Sequence, residues 1–212
     1  MKLLENILVP VDFGPSSLKA LDNAVMLAKA FNSQITLLHV LADTVISAEH
    51  EQLMNESVIE RLNHLKDKVR EQGIATPIVQ VEKGVAFEKI IEIAHKTDAN
   101  VIVAGAGSKT PGDTFKLGTT AEKLIRKNQI PLWVVKNQEV KPIKKILCPV
   151  DFSDSSKRAL QNAITVSGRF NAELTVLNVF VPFNYFSMRF QVDNVKENNT
   201  QKKCRNRIFI PS

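Results

Sequence analysis

Val101-Ile102-Val103-Ala104-Gly105-Ala106-Gly107-Ser108, resumed after a polar loop by Leu117-Gly118-Thr119-Thr120, decides how this chain is read. An apolar run of strand length ends in glycines, and beyond Gly118-Thr119 a helical pattern begins with Ala121, Leu124 and Ile125. Strand, glycine loop and helix start together form the usual phosphate cradle of an α/β protein. Glycines let the backbone approach the ligand, and free N–H groups at the helix N-terminus face the anion. Two familiar fingerprints fail here. In a Walker A loop a lysine follows the second glycine, but Asp113 follows Gly112. A dinucleotide fingerprint needs a third glycine and a place after the first strand, whereas Thr110 follows Gly105-x-Gly107-x-x, about a hundred residues into the chain. A plain surface connection would leave the same pattern, so the loop needs support from elsewhere.

The 212 residues suit one large domain, or one domain with part of a second. With 44% hydrophobic and 24% charged residues the composition is that of a globular protein with a sizeable core. The net charge of +6 is partly gathered in Lys196, Lys202, Lys203, Arg205 and Arg207. This reads as a solvated basic tail rather than a nucleic-acid surface, so no specific nucleic-acid partner is expected. Two cysteines, Cys148 and Cys204, make no disulfide framework and fit a reducing compartment. The opening Met1-Lys2-Leu3-Leu4-Glu5 lacks a signal-peptide core, and no apolar run has the length of a membrane span. A cytoplasmic protein with no membrane partner is the expectation.

From the N-terminus, Ile7–Val11 reads as a buried strand closed by Asp12. A helix follows from Pro15-Ser16-Ser17, with a serine expected at its N-cap. Leu21, Ala24, Val25 and Ala28 form its apolar face, and Asn32 ends it. Ile35–Val40 is the second strand, in which His39 reads as a structural residue, since no second ligand has metal spacing. A long helix to about Gln72 turns Val58, Leu62, Leu65 and Val69 inward and stops at Gly73. Pro77–Val81, Val101–Ala104 and Pro131–Val135 are the remaining strands, separated by helices around Phe87–Ala94 and Thr119–Asn128. Strict alternation predicts a Rossmann-like α/β fold: an open parallel five-stranded sheet with helices on both faces. Ligands of such sheets bind beyond the carboxyl ends of the strands, where the strand order reverses. Asp12, Val40 and Gly105 all stand at such ends.

The chain then repeats itself. Ile146-Leu147-Cys148-Pro149-Val150-Asp151-Phe152 matches Ile7-Leu8-Val9-Pro10-Val11-Asp12-Phe13 at an offset of 146 − 7 = 139. The offset holds without a gap to Val179, and 17 of the 34 paired positions are identical. A period this long is a domain duplication. The expected organisation is a nucleotide-binding domain over 1–137, a linker over 138–143, a truncated β-α-β second copy over 144–180, and an irregular basic tail over 181–212. The tail's aromatic run, Phe180, Phe183, Tyr185, Phe186 and Phe190, reads as a contact surface.

These motifs resemble the universal stress protein family in its tandem form: Ile-Leu-Val-Pro-Val-Asp at 7–12, Leu-Leu-His-Val at 37–40, and a G-x2-G-x9-G-[S/T] loop followed by Ala121-Glu122-Lys123. The resemblance implies an ATP-binding α/β fold, often dimeric and used in stress responses. It places the loop's first glycine on Gly105 and its last Gly-[S/T] on Gly118-Thr119. The second glycine falls on Ser108, a departure, with Gly107 one residue early. By the same resemblance Pro10, Val11 and Asp12 would meet the adenosine end and the Val40 backbone the adenine edge. Gly105, Ser108, Gly118, Thr119 and Thr120 would surround the phosphates, with Lys109 adding charge.

The implied ligand is an adenine nucleotide, ATP with or without Mg2+, and the implied assembly is a homodimer or an intrachain pseudo-dimer. A regulatory ATP-binding protein of the stress response is the leading reading. A nucleotide-free interaction module and a slow ATPase or adenylyl-transfer enzyme are the alternatives. Asp113 is the one carboxylate in the loop, and no nucleophile–base pair shows a recognisable spacing.

Overall fold

The computed structural model describes residues 4–43, 47–107, 117–136 and 140–179. The chain forms two compact units, residues 1–141 and 142–212. In the first, strands β1 (Asn6–Pro10), β2 (Gln34–Leu41), β3 (Ile78–Lys83), β4 (Val101–Gly105) and β5 (Leu132–Val135) alternate with helices α1 (Pro15–Phe31), α2 (Ala48–Glu71), α3 (Ala86–Lys96) and α4 (Thr119–Lys127). All strand pairs are parallel, in the order β3-β2-β1-β4-β5. The order reverses between β1 and β4, so the crevice at their carboxyl ends is the switch point of the sheet.

The inner strands β1, β2 and β4 are buried because helices cover both faces, and this is why β1 and β4 read as unbroken apolar runs. On one face Leu8, Leu38 and Ile102 pack with Phe87, Ile90 and Ile93 of α3 and Leu124 of α4. Ala20, Ala24, Leu27 and Ala28 of α1 are likewise fully buried, and the small side chains of the three alanines let the helix lie close to its neighbours.

Helix boundaries follow local chemistry. Asn32 ends α1 in the left-handed conformation at φ 56°, which asparagine tolerates. Ser47 caps α2 by accepting from the His50 N–H. The start of α1 differs from the expectation of a serine cap. Gly14 holds the N-cap and Pro15 the first helical position, so Ser16 and Ser17 lie inside the first turn. Proline accounts for this: its fixed φ and missing N–H suit that place.

The second unit repeats the opening of the first. Strand β6 (Lys145–Pro149), helix α5 (Asp154–Phe170) and strand β7 (Glu173–Leu177) follow in order. Strands β6 and β7 pair in parallel, with Lys145 opposite Glu173. That register is Asn6 opposite Gln34 in the first unit, moved by 139 at both ends (6 + 139 = 145, 34 + 139 = 173). Asn171 ends α5 in the left-handed conformation, as Asn32 ends α1. The aromatic run and the basic tail fall outside the described residues.

Candidate functional site

At the switch point of the first unit lies a cavity of about 280 Å³. It is lined by Pro10, Val11, Asp12, Ser16 and Ser17 after β1, by Leu38, His39 and Val40 of β2, and by Ala86 and Ile90 of α3. Ala104, Gly105, Gly107, Gly118, Thr119, Thr120, Ala121 and Leu124 complete the wall. Pro10, Val11, Asp12, Val40, Gly105, Gly118, Thr119 and Thr120, singled out from the sequence, are thus brought together in one place. Ser108, Lys109 and Asp113 lie outside the described residues. Ser16, Ser17, His39, Ala86 and Ile90 were not anticipated as lining residues. A broader groove of about 860 Å³ between α2 and β3 contains neither the glycines nor Asp12. Size alone therefore does not mark the site.

The turn after β1 is built around Asp12. Its Oδ1 accepts from the Gly14 N–H at 2.8 Å and lies 2.6 Å from Ser17 Oγ. Ser17 Oγ in turn accepts from the Asp12 N–H at 3.2 Å. Oδ2 has no hydrogen-bond donor among the described residues, so one oxygen of this exposed, cavity-lining carboxylate is open to a ligand donor. Between Asp12 and Gly14 the backbone turns through Phe13 at φ 61°, an unfavourable conformation for a bulky residue. The Phe13 ring centroid lies 4.9 Å from that of His39, and the Arg61 guanidinium carbon sits over the Phe13 ring, 3.9 Å from its centroid. Phe152 repeats the backbone conformation at φ 65° in the second unit.

The glycines serve close approach. A Cβ on Gly105 would lie 2.6 Å from the Ser16 backbone, so α1 and β4 meet there only because the side chain is missing. A Cβ on Gly107 would lie 2.8 Å from Gly118 Cα, and Gly107 is the residue with φ +88°. The Gly118 N–H donates to the Ala106 carbonyl at 2.7 Å. The two ends of the glycine loop are therefore pressed together, and the left-handed residue is Gly107, one position before Ser108.

Helix capping divides the molecule in two. The first N–H groups of a helix have no intrahelical acceptor. Serine side chains supply one for α2 and α5, through Ser47 and Ser153. The helices α1, α3 and α4 start at Gly14, Val85 and Gly118 and have no side-chain cap. These three are the helices whose first turns line the cavity. Among the described residues no cluster of His, Cys, Asp or Glu is arranged to hold a metal ion. Cys148 is buried, and burial pushes its thiol up from the usual value.

Fold and cavity together define a doubly wound parallel α/β protein with a ligand-sized site at its switch point. The model of the universal stress protein family matches residues 4–136 and again 142–207. The chain belongs to the universal stress protein family, in tandem form. A universal stress protein of Methanocaldococcus jannaschii is 30% identical over 142 residues, 63% of this chain and 83% of its own length. The structure of a universal stress protein from Archaeoglobus fulgidus shares the fold with a TM-score of 0.73 at 23% identity, covering 84% of this chain and 68% of that one. A universal stress protein solved in complex with cAMP shares it with a TM-score of 0.51 at 18% identity, over 64% of this chain and 99% of that one. No described helix is long and apolar enough to cross a membrane.

Proposed function

We propose that the first unit binds an adenine nucleotide, ATP in the first instance, in the switch-point cavity, and that the chain acts as a cytoplasmic nucleotide-binding regulator of the stress response. The observation that carries the reading is the convergence of three helix N-termini without side-chain caps on one glycine-walled cavity. Each presents unpaired N–H groups and the positive end of a helix dipole, and together they suit a polyanion. The missing side chains at Gly105, Gly107 and Gly118 leave the wall free of the Cβ atoms that would crowd it. Open Oδ2 of Asp12 suits a ribose hydroxyl donor, and the backbone of Val40 suits the adenine edge. A magnesium ion would arrive on the phosphates, in keeping with its preference for phosphate and water ligands. The relative solved with cAMP has the same fold, which makes cAMP a natural competitor to include.

Binding without robust chemistry is the favoured form of the reading. Among the described residues His39 is the one histidine on the cavity wall, and its Nδ1 is committed to the Val11 carbonyl. Mass spectrometry of nucleotide extracted from the purified protein, with calorimetry using ATP, AMP and cAMP, tests the proposal. Gly118→Asp should abolish binding, because it places bulk and negative charge against the Gly107 backbone. Undiminished ATP binding by that variant would remove the loop from the site.

A further inference from the structure

Ser16 Oγ donates to the carbonyl oxygen of Gly107 at 2.9 Å, joining segments 91 positions apart. Both residues line the cavity. The bond forms because Gly105 lacks a Cβ and lets the Ser16 backbone settle on the end of β4. Gly107 is left-handed, and it packs against Gly118, whose N–H closes the base of the loop on Ala106. The direction of the Gly107 carbonyl therefore decides whether an anion meets a donor or an acceptor at this wall. A carbonyl free to turn on a ligand would repel phosphate oxygens; one held by a hydroxyl has its direction fixed and a lone pair engaged.

The second copy supplies a contrast. A serine stands at the equivalent place, 16 + 139 = 155. There its Oγ accepts from Arg158 of its own helix at 3.2 Å. The same residue at the same point of the same motif is a local surface group in one unit and a long-range tie in the other. Helix α1 needs no such tie for its own sake, since Pro15 and the Asp12–Ser17 pair already define its start.

We infer that Ser16 is a positioning residue for the phosphate end of the site: it fixes the direction of the Gly107 carbonyl and holds the base of the glycine loop. The inference rests on the reading of the cavity as a nucleotide site. Ser16→Ala and Ser16→Thr are compared with the wild type by calorimetry with ATP and with adenosine. Thermal melting checks the fold, and amide hydrogen exchange at Gly118 is followed without ligand. Ser16→Ala should lose about five- to tenfold in ATP affinity, the worth of one hydrogen bond, and less than about twofold in adenosine affinity. It should also speed Gly118 exchange, and Ser16→Thr should restore both values. Unchanged ATP affinity in Ser16→Ala, or unchanged Gly118 exchange, overturns the role. So does an equal loss for ATP and adenosine, which marks a general structural defect. Wild-type protein that binds neither ligand overturns the nucleotide reading itself, a result visible before any variant is made.

Discussion

Nδ1 of His39 lies 2.6 Å from the carbonyl oxygen of Val11, tying the ends of the two central strands together at the cavity wall. A carbonyl only accepts, so Nδ1 carries the proton. Asn178 makes the same tie in the second unit, donating through Nδ2 to the Val150 carbonyl at 2.7 Å. Since 39 + 139 = 178 and 11 + 139 = 150, two different side chains fill one structural role in the two copies. His39→Leu should therefore destabilise the first unit by about 1–3 kcal/mol, because it leaves the Val11 carbonyl without this donor. His39→Asn should cost less, keeping the donor and losing mainly the contact with Phe13. Urea midpoints of the two variants check the order, and an equal loss in both would refute the shared role.

The three site glycines should tolerate alanine unequally. Gly105→Ala places a Cβ 2.6 Å from the carbonyl carbon and oxygen of Ser16, where only movement of helix α1 gives relief. Gly107→Ala meets Gly118 Cα at 2.8 Å and must also hold φ +88°. Gly118→Ala meets its nearest neighbour at 3.1 Å, a contact that a small shift relieves. Overpacking of the first kind costs about 1–3 kcal/mol. Thermal melting should rank Gly105→Ala and Gly107→Ala well below Gly118→Ala; a Gly118→Ala protein that melts lowest would contradict the packing described.

Much of this was open to reading in the sequence, for reasons the particular residues make clear. Strand and helix existence followed from period: Leu21, Ala24, Val25 and Ala28 repeat at helical spacing, and Ile7–Val11 is an apolar run too short for a helix. Pro10, Val11, Asp12, Val40, Gly105, Gly118, Thr119 and Thr120 could be named because they sit at strand ends or helix starts, where the chain itself marks them. Ser16 could not. Its role comes from Gly107, 91 positions away, and nothing local distinguishes it from Ser155. His39 reads as structural from the sequence, but its partner, the Val11 carbonyl, is 28 positions away and beyond the reach of local pattern. The left-handed Phe13 carries no signal at all, since phenylalanine is a poor choice for that conformation. Gly107 is left-handed, and Ser108, where the resemblance places the second glycine, lies outside the described residues.

Asp151 should titrate well below the ordinary aspartate value. The side chain and backbone N–H of Ser153, then Ser156, stabilise its carboxylate and hold its pKa at about 2, against an ordinary value of 3.8. The Ser153 N–H donates to Oδ1 at 3.0 Å. A folded-state pKa below the unfolded one means that this contribution to stability is complete above about pH 4. It drains away as the pH falls through the window from about 4 to about 2. A carboxyl chemical-shift titration should place Asp151 near the bottom of that window, and Asp151→Asn should flatten the acid limb of the unfolding curve there. A midpoint near 3.8 would show that the turn gives the charge no preference.

The second copy should hold no nucleotide, so that each chain binds one. It keeps the opening turn: Asp151 accepts from the Ser153 N–H as Asp12 accepts from the Gly14 N–H. What differs is the residue that starts the helix. Gly14 leaves the first turn of α1 without a side-chain cap, whereas Ser153 Oγ accepts from the Ser156 N–H at 3.1 Å and occupies a donor of α5. The helix end that faces the cavity in the first unit is thus already satisfied in the second. No glycine-walled loop accompanies it among the described residues, and Phe152, the partner of Phe13, is 85% exposed. Each charge-assisted hydrogen bond missing here is worth about 1.5–3 kcal/mol. The loss of three or more exceeds the roughly 4 kcal/mol that separates a millimolar complex from none. Calorimetry should give one ATP per chain, unchanged in Asp151→Ala. The converse change, Gly14→Ser, should weaken ATP binding by supplying α1 with the cap that α5 has. The Asp151–Ser153 pair shows that the same turn accepts a serine, so the fold should survive. Two sites per chain, or full affinity in Gly14→Ser, would show that helix capping does not separate the two copies.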